Sequence, residues 1–248
     1  MSAEVVVHPD PQVLAEAVAA RLLVALSDAP AARGEAGVVL TGGRVAARVY
    51  QALAASPARH AVDWSRVSLW WGDERFLPAG DPDRNETQAR AALAGLPLDE
   101  ERVHPMPAAD GDDPEAAAAR YAEELAAAAP LDGGPLPRFD VLLLGVGEDG
   151  HVASLFPGLP GLSAAGAVCP VRDSPKPPPV RLSLTLPAIN SAAEVWLVAA
   201  GPDKAEAVGR ALAGDDLPAA RVRGRDRTLW LLDRAAAGDA RPSPAGGR

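Results

Sequence analysis

The chain has 248 residues and a formal net charge of -9 at pH 7, which argues against binding to a nucleic acid backbone as its main function. The length suffices for one large domain with an ample core. No run of eighteen apolar residues is present, and the N-terminal MSAEVVVHPD has neither a basic region nor an apolar signal core. The sequence therefore predicts a cytoplasmic protein that does not enter a membrane.

The single cysteine, Cys169, has no partner for an internal disulfide, which fits a reducing compartment. It lies in an apolar, strand-like stretch, where a free cysteine packs as a small hydrophobe more often than it acts as a nucleophile. The four histidines show no ligand spacing. We therefore predict no structural metal.

Strand and helix patterns alternate along the chain. Strands are predicted at residues 4–7, 38–40, 67–71, 103–106, 141–144, 181–185, 195–199 and 228–232. Helices are predicted at residues 12–27, 45–54, 86–94, 114–128 and 204–213. This alternation predicts an α/β fold: a doubly wound, mostly parallel sheet with helices on both faces, in a Rossmann-like three-layer sandwich. We predict a single domain over residues 1–235 and a disordered tail over residues 236–248.

A glycine-rich turn, GVGEDG at residues 145–150, follows the strand predicted at 141–144 and matches the GxGxxG pattern. In a dinucleotide site the third glycine opens a long helix, but here Pro157 follows within two turns. Glu148 and Asp149 would also repel a pyrophosphate. We therefore predict that the turn carries Asp149 and His151 to the carboxyl edge of the sheet, where α/β folds bind ligands. The alternative is that His151 only caps a short helix and Asp149 only favours the turn.

Three other segments place polar residues at strand or helix ends: Thr41-Gly42-Gly43, Asp73-Glu74-Arg75 and the segment 201–205, which contains Lys204. A lysine at a helix start is unfavourable for the helix dipole, so we expect Lys204 to share an anion with the helix amides. Each segment taken alone has an ordinary interpretation as a turn, a surface ion pair or a solvated lysine. Together they favour one site.

Four segments resemble the 6-phosphogluconolactonases, which belong to a larger group that includes the glucosamine-6-phosphate deaminases (the NagB-like proteins). The segments are WWGDERFLPAGDPDRNE (70–86), FDVLLLGVGEDGHVASLFPG (139–158), RLSLTLPAIN (181–190) and GPDKAEAV (201–208). The resemblance implies a doubly wound α/β fold and hydrolysis of 6-phospho-D-glucono-1,5-lactone to 6-phosphogluconate in the pentose phosphate pathway. It also implies that the partner is this small sugar phosphate and that no metal or organic cofactor is required.

The resemblance implies roles for four catalytic residues. His151 corresponds to the general base, and an imidazole can accept a proton at cellular pH. Asp149 would orient its ring or help to place the water. Arg75 would face the lactone and stabilise charge on the nascent carboxylate, and Asp73 would hold either Arg75 or a sugar hydroxyl.

The resemblance likewise implies a phosphate site. Gly42 and Gly43 correspond to the phosphate loop, and Lys204 and Arg181 to its cationic partners, because a guanidinium and an ammonium commonly bind one phosphate together. Asn85 corresponds to an asparagine whose polar role is unspecified.

The chain departs from the family pattern at two positions. After the glycines, the family usually has a small hydroxyl residue and often a proline, whereas this chain has Arg44-Val45-Ala46. Either Arg44 binds phosphate itself or the loop has lost contacts. Arg84 stands before Asn85 where a serine is usual, which leaves sugar-hydroxyl recognition there open.

Two other functions share part of this pattern. An isomerising deaminase of this group has Phe-Asn-Glu-Pro after the Gly-Asp-Gly-His turn, which supplies a carboxylate, whereas this chain has no acid in its segment 154–157. A non-catalytic sugar-phosphate sensor would keep Lys204 and Arg181 but lose the base, and the presence of both Asp149 and His151 argues against it. The sequence does not predict an oligomeric state.

Overall fold

The computed structural model describes residues 3–111, 113–130 and 134–240. Its main sheet has seven strands: β1 (Glu4–His8), β2 (Ala36–Leu40), β3 (Val67–Trp71), β5 (Val103–His104), β6 (Val141–Gly145), β9 (Glu194–Ala199) and β10 (Arg227–Asp233). Their order is β1-β10-β9-β6-β2-β3-β5, and all neighbouring pairs are parallel. The helices are α1 (Pro11–Arg33), α2 (Arg44–Ala55), α3 (Asn85–Leu93), α4 (Pro114–Ala127), α5 (Leu186–Ile189), α6 (Ala205–Ala213) and α7 (Arg234–Ala237).

The order of the strands makes the sheet doubly wound. From β1 the chain crosses to β2 and proceeds outward through β3 to β5, and from β6 it proceeds in the opposite direction through β9 to β10. Because such crossovers are right-handed, the two directions place their helices on opposite faces. In agreement with this, α1 packs against α2 and α2 against α3. The winding reverses between the adjacent strands β2 and β6, and ligands bind at such a reversal in open α/β sheets.

A second, antiparallel sheet consists of β4 (Asp73–Arg75), β7 (Val168–Val171) and β8 (Arg181–Leu184). Its order is β4-β8-β7. Helix α4 packs against β7 and β8. Since β4 begins two residues after β3 ends, this small sheet is attached directly to the carboxyl edge of the large one.

The predicted fold class and the order of the predicted elements are confirmed. Strand β7 and the short helices α5 and α7 were not among the predicted elements, and β5 ends at His104 rather than at residue 106. Three further differences concern α1, β4 and the tail. Helix α1 continues through Pro30 to Arg33, six residues beyond the predicted end. The segment 73–75 is strand β4 rather than a loop. The predicted tail starts at Ala236, but Ala236 and Ala237 are buried in α7, which packs against β10 and β1. Residues 241–248 of that tail lie outside the described residues.

The two tyrosines of the chain fix the carboxyl ends of β2 and β3. The Tyr50 hydroxyl, from α2, accepts a hydrogen bond from the Thr41 amide (2.9 Å) and donates one to the Thr41 carbonyl (2.8 Å). The Tyr121 hydroxyl, from α4, accepts from the Trp71 amide (3.0 Å) and contacts the His104 carbonyl (3.1 Å). Both tyrosines are buried, and burial raises the pKa of both hydroxyls, so they remain neutral. The loops after β2 and β3 therefore leave the sheet from fixed points.

Among the described residues, no helix is long and apolar enough to span a bilayer.

Candidate active site

A cavity of about 350 Å³ opens at the carboxyl ends of β2, β3, β6 and β9, at the reversal of the winding. This volume is at the lower end of the range of about 300–1,000 Å³ that is usual for small-molecule sites. Nine of the ten predicted site residues line it, and the tenth, Asp149, contacts one of the nine. The nine are Gly42, Gly43, Arg44, Asp73, Arg75, Asn85, His151, Arg181 and Lys204.

His151 and Asp149 form a hydrogen-bonded pair after β6. The ring Nδ1 of His151 lies 2.5 Å from Oδ1 of Asp149, which also accepts the His151 amide at 3.2 Å. Burial alone would raise the pKa of Asp149, but the hydrogen bond and charge of His151 outweigh it and lower that pKa to about 2. A charged Asp149 accepts a hydrogen bond from Nδ1–H of His151, and in that tautomer Nε2 carries the lone pair that can accept a proton. The ring of His151 also packs on that of Phe156, with centroids 4.4 Å apart.

Contacts between Gly147 and His151 constrain the glycine-rich turn. The Gly147 amide donates to the His151 carbonyl (2.9 Å), which closes the turn. A Cβ at Gly147 would lie 1.9 Å from the His151 Nδ1, so a larger residue would displace the imidazole. Two residues later, Ala153 lines the cavity with φ +49°, a left-handed conformation that costs energy in an L residue. Nothing resembling a short helix follows His151 directly, so the helix-cap interpretation of that residue is not supported.

Strand β4 presents Asp73 and Arg75 on one face, because side chains two apart on a strand point the same way. The Asp73 carboxylate accepts hydrogen bonds from Ser154 Oγ (2.7 Å) and Asn85 Nδ2 (3.3 Å). Arg75 donates through Nη1 to the Asp83 carbonyl (2.6 Å). Asp73 therefore does not hold Arg75, which was one of its two predicted roles.

Asn85, at the start of α3, lies directly against the glycine loop. A Cβ at Gly42 would be 1.9 Å from Asn85 Oδ1, so the loop approaches this closely only because residue 42 is glycine. Asn85 Nδ2 donates to the Asp73 carbonyl at 2.9 Å, whereas Oδ1 is buried and has no hydrogen-bond partner in the described part of the chain. That oxygen is a free acceptor beside the cavity.

The glycine loop leads into the N-terminus of α2. Gly43 is the N-cap residue and has no side chain to cap the helix, so the first amides of this twelve-residue helix have no side-chain partner at the N-cap position. Together with the positive end of the helix dipole, such amides bind anions. Arg44 is exposed at the rim of the cavity, directly after the glycines.

Five cationic side chains line the cavity, although the chain as a whole is acidic. They are Arg44, Arg75, Lys176, Arg181 and Lys204, against a single lining carboxylate, Asp73. A cavity with this charge favours an anionic ligand. Lys176 was missed by the sequence interpretation, because the proline-rich loop around it gave no periodic signal.

Arg84 lies in the interior rather than in the cavity. Its guanidinium donates to the carbonyls of Leu77 (3.2 Å) and Met106 (2.7 Å) and lies 3.8 Å from the Glu74 carboxylate. The departure from the family pattern at this position therefore concerns the packing of the loop before α3, not direct recognition of a sugar hydroxyl.

Glu74 is completely buried and joins β4 to α3. Its carboxylate accepts the amides of Arg75 (2.8 Å), Asn85 (2.6 Å) and Glu86 (2.9 Å), and it caps α3 in place of Arg84, whose side chain makes no cap. Burial raises the pKa of Glu74 to about 7, against the opposing effects of Arg84 and the three amides. Glu74 thus positions two lining residues, Arg75 and Asn85, without lining the cavity itself.

Replacing Glu74 by glutamine is expected to lower the free energy of unfolding by about 1–3 kcal/mol. Both carboxylate oxygens of Glu74 accept backbone N–H groups, and the glutamine would place an NH₂ group, which cannot accept, where one of these oxygens lies. Chemical denaturation of the variant and the parent measures this difference. Glu100→Gln is the control, since Glu100 pairs with Arg90 on the surface. Equal stability of Glu74→Gln and the control would contradict the capping role.

Within the described ranges, no group of three or more His, Cys, Asp or Glu residues is placed to hold a metal ion. Cys169 is buried in β7, and burial raises the pKa of its thiol to about 11. The thiol is therefore protonated at neutral pH and is not a competing nucleophile.

Comparison with known proteins assigns the family. The sequence profile of the glucosamine-6-phosphate isomerases/6-phosphogluconolactonase family matches residues 9–230. The chain belongs to this family. The 6-phosphogluconolactonase of Streptomyces coelicolor is 60% identical over 94% of this chain and 93% of its own length, and that of Mycobacterium tuberculosis is 48% identical over 96% and 98%. The solved structure of the Trypanosoma brucei 6-phosphogluconolactonase is 27% identical and superimposes with a TM-score of 0.84 over 97% of this chain and 99% of that one. The Trypanosoma brucei structure therefore has the fold described above over nearly the whole chain.

Proposed function

We propose that this chain hydrolyses 6-phospho-D-glucono-1,5-lactone to 6-phosphogluconate, as a 6-phosphogluconolactonase of the pentose phosphate pathway. The observation that carries the proposal is that one cavity contains both the carboxylate-supported imidazole of His151 and a cationic region formed by Lys204 and the N-terminus of α2. The first supplies a base and the second binds a phosphate. The names of the relatives support the same activity.

His151 acts as the general base through Nε2. It takes a proton from a water molecule as the water oxygen attacks the lactone carbonyl carbon, and Asp149 stabilises the imidazolium that forms. The tetrahedral intermediate collapses by breaking the bond between the carbonyl carbon and the ring oxygen, and the imidazolium returns its proton to that oxygen. The product is an open-chain carboxylic acid that ionises at neutral pH. Arg75 faces the oxygen on which negative charge develops.

The phosphate of the substrate lies at the other end of the cavity. The free amides at the start of α2 and the Lys204 ammonium bind its oxygens. Asp73 and Asn85, which also line the cavity, contact sugar hydroxyls. A small sugar phosphate is therefore the proposed partner, and a cytoplasmic location stays a prediction from the sequence.

The deaminase alternative requires a second acid close to the histidine, in addition to Asp149. Residues 152–157, which follow His151, contain no acid, and the one lining carboxylate, Asp73, is engaged by Ser154 and Asn85. A sensor without catalysis does not require the pairing of His151 with Asp149. Both alternatives are less compatible with this cavity than lactone hydrolysis.

An assay of lactone disappearance against its spontaneous hydrolysis, with and without the protein, tests the proposal. We expect acceleration with the phosphorylated lactone. Deamination of glucosamine-6-phosphate without lactone hydrolysis would support the first alternative, and binding of the sugar phosphate without either reaction would support the second.

We expect activity to survive prolonged chelation, because the described residues offer no cluster of metal ligands and His151 directs one ring nitrogen to Asp149. The lactonase assay before and after dialysis against a chelator measures this. Loss of activity that zinc or magnesium specifically restores would contradict the activation of water by His151 alone.

A further inference from the structure

The chain contains only two lysines, Lys176 and Lys204, among its 24 lysine and arginine residues. Although they lie on different loops, both line the same cavity. An arginine is a rigid planar donor, whereas a lysine is a compact charge on a flexible stem, so the two residues are not interchangeable around a phosphate. In a chain that otherwise uses arginine as its cation, the placement of both lysines at one cavity needs an explanation.

Both lysines share one counter-ion, Glu148. Its Oε1 lies 3.7 Å from the Lys204 Nζ and 3.9 Å from the Lys176 Nζ. Because a single oxygen is near both ammonium groups, one anionic group of a ligand can contact both. Each distance exceeds the roughly 2.7–2.9 Å of a strong charge-assisted hydrogen bond, and the Glu148 side chain is 60% exposed. Glu148 is therefore a weak partner for both lysines.

Arg181 holds the backbone from which Lys176 projects. Its guanidinium donates to three consecutive carbonyls of the loop, those of Lys176 (3.0 Å), Pro177 (3.1 Å) and Pro178 (3.2 Å). Ser174 Oγ donates to the Lys176 carbonyl as well (2.8 Å). Much of the donor capacity of Arg181 is thus used within the protein, while the Lys176 ammonium has only the weak pair with Glu148 among the described residues. Of Arg181 and Lys176, Lys176 therefore has the charged group that is more available to a ligand.

We propose that Lys176 and Lys204 together bind the phosphate of the ligand, that Arg181 positions Lys176, and that Glu148 is a counter-ion which the phosphate displaces. The inference rests on the proposed function for the identity of the ligand as a sugar phosphate. A phosphate monoester carries a charge of about -1.5 to -2 and three acceptor oxygens, so it replaces one exposed carboxylate favourably. Because a ligand has to displace Glu148, this carboxylate lowers the affinity for the anionic product and promotes its release.

Calorimetric titration of the full chain with 6-phosphogluconate, and separately with inorganic phosphate, tests this. Lys176→Ala should weaken binding of 6-phosphogluconate by about 5- to 20-fold, a modest effect because Lys176 is partly exposed. Glu148→Gln should tighten binding of both probes by about two- to fivefold. Matched controls are Arg172→Ala and Glu115→Gln, which change the net charge equally at an ion pair outside the cavity. Unchanged affinity of Lys176→Ala relative to Arg172→Ala would overturn the role of Lys176, and unchanged or weaker binding by Glu148→Gln would overturn that of Glu148.

A second measurement follows the amines directly. Reductive methylation read by peptide mass spectrometry should label Lys176 and Lys204 more slowly when 6-phosphogluconate is present. Equal labelling of Lys176 with and without the ligand would contradict the proposal. These measurements are independent of turnover. If the parent protein binds 6-phosphogluconate but does not hydrolyse the lactone, the proposed function is wrong and this inference is unaffected. If the parent is active but Lys176→Ala and Glu148→Gln bind the probes like their controls, this inference is wrong and the proposed function is unaffected.

Discussion

Replacing His151 by alanine is expected to lower turnover of the phosphorylated lactone by about 10²–10⁴, the usual contribution of one positioned general base. A lactone is already a reactive ester, so a base that activates water suffices, and no GxSxG elbow of a serine hydrolase is present. The hydrogen bond between His151 Nδ1 and Asp149 Oδ1, at 2.5 Å, keeps the ring in one tautomer and orientation. Steady-state kinetics of the variant, corrected for spontaneous hydrolysis, measure the loss.

The same variant should bind 6-phosphogluconate with nearly the affinity of the parent, because the phosphate partners lie on α2, on the loop of Lys176 and before α6 rather than on the turn after β6. Asp149→Asn is the matched comparison, since it keeps the shape of the pair but loses the charge that stabilises the imidazolium. We expect its turnover to lie between those of the parent and His151→Ala. If His151→Ala kept full turnover with its fold intact, His151 would be only a turn residue and Asp149 would become the candidate base.

The fold and most of the candidate site could be predicted from the sequence because both depend on local patterns. The alternation of apolar strands with amphipathic helices indicates a parallel sheet, and the carboxyl ends of its strands meet at one edge. Residues that directly follow strands, such as Gly42 after β2 and His151 after β6, are consequently placed together without knowledge of the packing.

Other features could not be predicted because they depend on contacts between distant segments. Strand β4 is only three residues long, and its pairing with β8 joins positions more than a hundred residues apart. The buried cap formed by Glu74 on α3 depends on the same geometry, since a charged residue in a GDER motif gives no sign of burial. Lys176 lies on a loop whose position is set by Arg181. Helix α1 continues through Pro30 because tertiary packing outweighs the local helix-breaking tendency of proline.

Lys204→Ala is expected to weaken binding of the phosphorylated substrate by about 10- to 100-fold, because a hydrogen bond to a charged group contributes roughly 1.5–3 kcal/mol. Lys204 is the better-buried of the two lysines, with a side chain 17% exposed, and it lies at the start of α6, where the positive end of the helix dipole also attracts an anion. Its ion pair with Asp203, at 3.2 Å, holds the ammonium at the cavity.

The measurement is the ratio of kcat/KM for 6-phospho-D-glucono-1,5-lactone to that for the unphosphorylated lactone. Because the substitution removes a phosphate ligand and leaves the pair of His151 and Asp149 in place, the ratio should fall, with the loss mainly in KM for the phosphorylated substrate. Lys204→Arg tests whether charge alone suffices: a planar guanidinium at this position should restore only part of the loss, since it cannot take the place of a compact ammonium at the helix start. Equal Michaelis constants for Lys204→Ala and the parent would show that Lys204 does not bind the phosphate, and Lys176 and the amides at the start of α2 would then have to bind it without Lys204.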